Sequence, residues 1–282
     1  MVKRLVLDQI LKLDPQIDHA RIVNLDSCYE FPFDFTRADE FALYRTYTVP
    51  SIAALLDSTG EFTGRTQRRY DDTKLIISEL VENGYDSERG QRAMRQMNHQ
   101  HGRFNISNSD LLYVLSTFAF EPPRWMARYA RRPMVEQEKL ALFYFWRAVG
   151  QRMGIQSIPD EISKFEGFNV EYERQNFHYT EGGHRVASAT RDMFLGWVLP
   201  PPLRRFGAPA IHALLDDHLL VSLGFPGPSP TLRSLVRQSL RCRSRLTGLL
   251  PERRKPFRHT VRRHRSYPHG YEIEQLGPPG KE

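Results

Sequence analysis

The stretch "MNHQHGRFNISNSDLLYVLSTF", residues 97–118, sets two histidines two positions apart, then a polar turn, then an almost unbroken apolar run. On a β-strand His99 and His101 would share a face and could bind one metal together. On a helix, where each residue turns by about 100°, the two imidazoles point to opposite sides. The neighbourhood decides. Upstream, Ser87 is a candidate cap for a helix reaching to about His101, with Met94 and Met97 on one side. Downstream, Asn108 or Ser109 is a candidate cap for an apolar helix from Asp110 to Phe120, stopped by Pro122 and Pro123. Helical periodicity on both sides makes the pair helical, so at most one of the two is a metal ligand. A histidine near a helix end is also a common capping group, and spacing does not separate the two roles. A single-histidine metal centre with no acidic or cysteine cluster beside it points to haem, whose porphyrin supplies four donors and asks the protein only for an axial imidazole.

Working outward, the same periodicity recurs along the chain. Residues 36–57 read as two helical pieces interrupted at Pro50, with Thr36 as a cap and Phe41, Leu43 and Tyr44 as packing groups. A helix from about Arg68 to Glu82 follows, stopped by Asn83-Gly84, and it places Arg69 and Thr73, four residues apart, on one face. An arginine beside acids such as Asp72 is usually a surface ion pair, so this pair also has a plain structural reading. Residues 135–153, "VEQEKLALFYFWRAVGQRM", are apolar almost all round, as in a buried central helix. Residues 157–177 give another helix, with Ile162, Phe165 and Tyr172 near one face. "VLPPPLRRFGAP" (198–209) and "GFPGPSP" (224–230) read as loops. The expectation is an all-α protein: a helical domain over residues 1–228 and a basic helical extension over 229–282.

The chain has 282 residues, 40% of them hydrophobic and 11% aromatic, enough to bury a sizeable core. Cys28 and Cys242 are too few and too far apart to staple such a fold, which argues against an oxidising compartment. The apolar runs fall short of the roughly 18 residues a membrane span needs, and the first twenty residues have no secretory pattern, so a cytoplasmic location is expected. The net charge of +7 is unevenly spread. Residues 231–265 hold twelve Lys and Arg against one acid, Glu252, and carry +11; the other 28 basic and 32 acidic residues leave −4. "TLRSLVRQSLRCRSRLTGLL" (231–250) puts Leu232, Leu235, Val236 and Leu240 on one side and Arg233, Arg237 and Arg241 on another. Such a helix can lie on an anionic membrane or pack its apolar side on the domain. A non-catalytic module binding nucleic acid or membrane through this segment is the competing reading, although the tail has no aromatic stacking platform or reading motif for nucleic acid.

No phosphate-binding loop, nucleophile elbow, kinase signature or zinc-finger spacing is present. The segments "FALYRTYTVPSIAALLDSTGEF" (41–62), "RRYDDTKLII" (68–77), "MNHQHGRFNISNSDLLYVLSTFAFEPPRW" (97–125), "EQEKLALFYFWRAVGQRMGIQSIPDEISKFEGFNVEYE" (136–173) and "SYPHGYEIEQLGP" (266–278) resemble the MpaB / rubber oxygenase family, over residues 18 onward. The resemblance implies a globin-like helical fold holding haem b (iron), and O₂-dependent cleavage of a carbon-carbon double bond in an isoprenoid or other hydrophobic, prenylated small molecule. His101 matches the histidine of the family's N-x-x-H motif and would be the proximal haem ligand; His99 falls at a variable position. Arg69 and Thr73 match a family pair that would hold a haem propionate or polarise the pocket. Asp72 stands where rubber-cleaving members carry a lysine, which places the chain nearer the MpaB-like branch.

Overall fold

The computed structural model describes residues 5–278; the first four and last four residues of the two expected segments lie outside it. Among the described residues all regular structure is helical, so the all-α class expected from the periodicity is the one adopted. Fourteen α-helices follow in order: α1 (Leu5–Ile10), α2 (His19–Leu25), α3 (Pro32–Thr46), α4 (Pro50–Ser58), α5 (Glu61–Gly64), α6 (Thr66–Asn83), α7 (Glu88–Gly102), α8 (Asn108–Tyr129), α9 (Glu136–Arg152), α10 (Ile162–Asn176), α11 (Glu181–Gly196), α12 (Arg204–His212), α13 (Asp217–Leu223) and α14 (Pro230–Gly248). None is long and apolar enough to cross a membrane.

Helix α8 runs through the middle, packed by α3, α9, α10 and α14. Its partner α9 buries Ala141, Leu142, Phe143, Phe145 and Trp146, more than half of its circumference, as its sequence requires. The two helices approach closely at Gly150, where a Cβ would overlap the side chains of Leu115 and Ile158. The elbow between α6 and α7 is local chemistry. Gly84 takes a left-handed φ of 78° and ends α6, and the Ser87 hydroxyl accepts from the Gly90 amide at 3.0 Å to start α7.

Four boundaries differ from the sequence reading. Helix α3 begins at Pro32, so Thr36 is not its cap; the Thr36 hydroxyl instead donates to the Pro32 carbonyl at 2.9 Å. Ser107, not Asn108 or Ser109, caps α8, accepting from the Asp110 amide at 3.0 Å. Residues 204–212, expected as loop, form α12 with Pro209 inside it. Helix α8 also continues through Pro122 and Pro123 to Tyr129. Each proline forfeits a backbone hydrogen bond. Beyond them Trp125, Met126 and Tyr129 are buried, at roughly 1.5 to 3 kcal/mol each, and Trp125 Nε1 donates to Asp34 at 3.2 Å. Tertiary burial offsets the local cost.

After Gly248 the basic extension is no longer α-helical; residues 249–278 run as an irregular strap with one 3-10 turn at Ile273–Gln275. The strap is tied to α6. Glu82 accepts from the amides of His259 (2.6 Å) and Thr260 (3.1 Å), Asp71 from the Ser266 amide (2.9 Å), Asp72 from the Tyr267 hydroxyl, and Glu79 from the Tyr271 hydroxyl (2.5 Å). At about 100° per residue these four acids span an arc of about 100° on α6, whereas Arg69, Thr73, Ile76 and Leu80 fall on the opposite side.

Under α2 and α9, Arg132 joins Glu30 (3.0 Å) and Glu138 (2.6 Å), and the fully buried Asp26 lies against this cluster. Burial, and then the charge of Glu138, push the Asp26 carboxyl well above the usual carboxylate range. A raised folded-state pKa gives stability that is present below the unfolded value, near 4, and is lost as pH rises toward the folded value. Asp26→Asn, which has no proton to lose, should therefore match the parent in thermal melts near pH 4 and gain on it by about 1.4 kcal/mol per pH unit above that. A pH-independent difference between the two proteins would show that Asp26 stays ionised in the fold.

Candidate active site

A cavity of about 280 Å³ opens between α4, α6, α7 and α8. Its walls are mostly apolar: Leu43, Ile52, Ile76, Leu80, Val114, Leu115, Phe118 and Trp146 contribute side chains, and Gly277 and Pro278 of the strap close one side. The polar groups that reach it include His101, Arg69, Thr73, Asp72 and Tyr47. All three residues singled out from the sequence, His101, Arg69 and Thr73, are thus brought together.

His101 occupies the last turn of α7. Its Nδ1 is buried with no hydrogen-bond partner among the described residues. Burial, and secondarily the nearby Arg69 charge, pull its pKa down to about 4, so the ring is a neutral imidazole at ordinary pH. His99, two residues earlier, is exposed and lines a separate outer cleft, as helical rotation demands.

Arg69 donates to the Thr73 hydroxyl, and its guanidinium lies 5.3 Å from the centre of the Phe62 ring. Thr73 in turn donates to the Arg69 carbonyl at 3.1 Å, which fixes its rotamer along the helix. Among the described residues no carboxylate lies within ion-pairing distance of Arg69, and burial lowers its pKa. The surface ion-pair reading of Arg69 with Asp72 is therefore set aside. Asp72 instead accepts from the Tyr267 hydroxyl, and burial raises its carboxyl above the usual range.

A cationic guanidinium and an unpartnered neutral imidazole beside an apolar void form an arrangement that costs stability unless something binds there. Among the described residues no group of three or more His, Cys, Asp or Glu that could hold a metal ion is found. Tyr47, Gly277 and Pro278 were not foreseen as site residues. Tyr47 is a buried aromatic in the turn after α3, and the strap residues reach the cavity from almost 200 positions away, with nothing local to signal it.

A family profile described as "ER-bound oxygenase mpaB/B'/Rubber oxygenase, catalytic domain" matches residues 41–245. The chain is 38% identical over 208 residues to ER-bound oxygenase mpaB of Penicillium roqueforti (strain FM164), covering 67% of this chain and 70% of that protein. It is 31% identical over 219 residues to ER-bound oxygenase mpaB' of Penicillium brevicompactum, and 37% identical over 209 residues to mpaB of the same organism, covering 71% of this chain in each case. It spans about half the length of those two relatives, 52% and 49%. Since the profile matches well over half of the sequence, including His101, Arg69 and Thr73, the chain belongs to the mpaB/B' and rubber oxygenase family.

Proposed function

We propose that this chain is a haem b-dependent oxygenase, of globin-like helical architecture, that uses O₂ to cleave a carbon-carbon double bond in a hydrophobic, prenylated small molecule. The observation that carries the proposal is His101: a neutral imidazole, held in an apolar cavity with a buried nitrogen that the protein leaves unsatisfied. That donor fits the axial position of a porphyrin, the one common metal group that needs a single protein ligand. When bound, haem supplies the redox-active iron that activates O₂.

The chain's own residues then have defined tasks. The apolar walls from α4, α6 and α8 exclude water and align an isoprenoid chain, which offers no polar handle near its double bonds. The Arg69 guanidinium supplies a fixed positive charge in this dry site, to hold a propionate or to steady negative charge as it develops on oxygen. Thr73 orients Arg69 through the hydrogen bond between them. In the overall reaction an alkene and O₂ become two carbonyl compounds with every atom accounted for, so no side chain must deliver a net proton.

We also propose peripheral contact with an anionic membrane through residues 231–265. The half-buried Leu232, Val236 and Leu240 of α14 turn toward the domain, with Leu240 packed on the main core. Leu235, Leu246, Leu249 and Leu250 remain exposed, between 59% and 76%, with Arg237, Arg241 and Arg245 exposed on the same helix. An apolar stripe flanked by guanidiniums suits a headgroup layer, at about 1 kcal/mol per basic residue near the surface. The relatives described as ER-bound accord with this reading.

Purified protein supplied with haem should show a sharp Soret band that shifts on reduction and CO addition, with stoichiometric haem b in a pyridine haemochrome assay. His101→Ala should abolish that binding, whereas His99→Ala should leave it intact; equal loss in both, or in neither, would overturn the single-ligand assignment. With a farnesylated probe and carbonyl products as readout, Arg69→Met should lower turnover by about 10²-fold while retaining haem, and Thr73→Val by less, since Thr73 acts through Arg69. A larger loss for Thr73→Val would reverse that order. In co-sedimentation, the protein should bind phosphatidylcholine vesicles only when they contain phosphatidylserine. Replacing Leu246 and Leu249 by Glu should release it, and binding unaffected by that change would place the contact elsewhere.

A further inference from the structure

A second cavity, of about 440 Å³, lies on the outer side of α6 and α7. Arg68 enters it from α6 and Arg65 from the residue before that helix, His99 from α7 and Arg103 from the residue after it, and residues 274–278 of the strap form the far wall. Gln100, Gly277 and Pro278 line both this cleft and the His101 cavity, so the two spaces adjoin.

The cleft is cationic. Its one carboxylate, Glu274, is taken by Arg92 at 2.7 Å, and the exposed Arg65 is paired with Glu61 four residues earlier. Arg68 is different. Among the described residues it has no ion-pair partner, its Nε is buried without a hydrogen bond, and its guanidinium is held over the Tyr267 ring, 4.9 Å from the centroid. Tyr267 is itself anchored to Asp72, which lines the inner cavity. A guanidinium fixed in place by an aromatic face, with donor capacity unspent and a roomy space before it, is prepared for a planar anion.

We propose that this cleft binds a carboxylate carried by the molecule in the His101 cavity, with Arg68 as its principal anchor and Arg65 as a second cation. Two molecules would bring such a group: a porphyrin through its propionate edge, or an isoprenoid substrate ending in an acid. The porphyrin source rests on the reading of the inner cavity as a haem site; the isoprenoid source does not.

The test uses the parent protein, Arg68→Gln and Arg68→Lys, each confirmed folded by its helical circular dichroism and melting curve. Haem and haem dimethyl ester are titrated by Soret absorbance. Farnesoic acid and farnesol are titrated by quenching of tryptophan fluorescence, Trp146 being in the cavity wall. If the porphyrin supplies the carboxylate, the parent prefers haem to its ester by about ten- to a hundred-fold, Arg68→Gln erases the preference and Arg68→Lys keeps much of it. If the substrate supplies it, haem and ester bind alike while farnesoate is preferred to farnesol in the same Arg68-dependent way. Equal binding of acid and neutral partner in both pairs, or a preference that survives Arg68→Gln, overturns the inference. A protein that gives a Soret band with neither porphyrin defeats the haem reading alone, and the farnesoate comparison in that case decides the cleft.

Discussion

Asp71, Asp72, Glu79 and Glu82 lie along one side of α6 with buried carboxylates, and each is completed by a donor from the strap that follows α14. Leaving such groups unpaired in the interior costs several kcal/mol each, so the strap is as necessary to α6 as any helix that packs on it. The opposite side of α6 carries Arg69, Thr73 and Ile76 into the cavity. The same 18-residue helix therefore reads out two environments, and the position of the site follows from how firmly the acids are held.

The polar content of the cavity follows a consistent logic. Where the fold needs charge for its own stability, it pairs it: Arg45 meets Glu173 and Asp216, and Arg132 meets Glu30 and Glu138. Where the cavity opens, the pairing stops, leaving the guanidinium of Arg69 with a hydroxyl partner and the Nδ1 of His101 with none. A chain that satisfies most of its buried polar groups elsewhere thus keeps an unpartnered imidazole nitrogen and a guanidinium without a carboxylate at the cavity.

What could be read from the residues was local in origin. Ser87 and Gly84 mark the α6–α7 elbow because caps depend on near neighbours, and the opposite aim of His99 and His101 follows from helical rotation alone. The placement of Arg69 and Thr73 on one face is of the same kind. The passage of α8 through Pro122 and Pro123, and the formation of α12, depend on burial by distant segments that override local preference. The contact of Tyr267 with Asp72 joins positions 195 apart, and no periodicity encodes it. The basic extension was legible as charge and amphipathicity, but its role as a wall of the cavity was not, since that comes from Gly277 and Pro278 and not from its arginines.

The strap also sets an order of assembly. Helices α2 to α11 can come together while the ribosome is still making α14, yet the cavity lacks one wall until residues 277 and 278 emerge and dock. Closure then ties Tyr267 and Tyr271 to α6. The wall that completes this pocket is thus among the last parts of the described chain to be made, so the pocket takes its final shape only once the strap has docked.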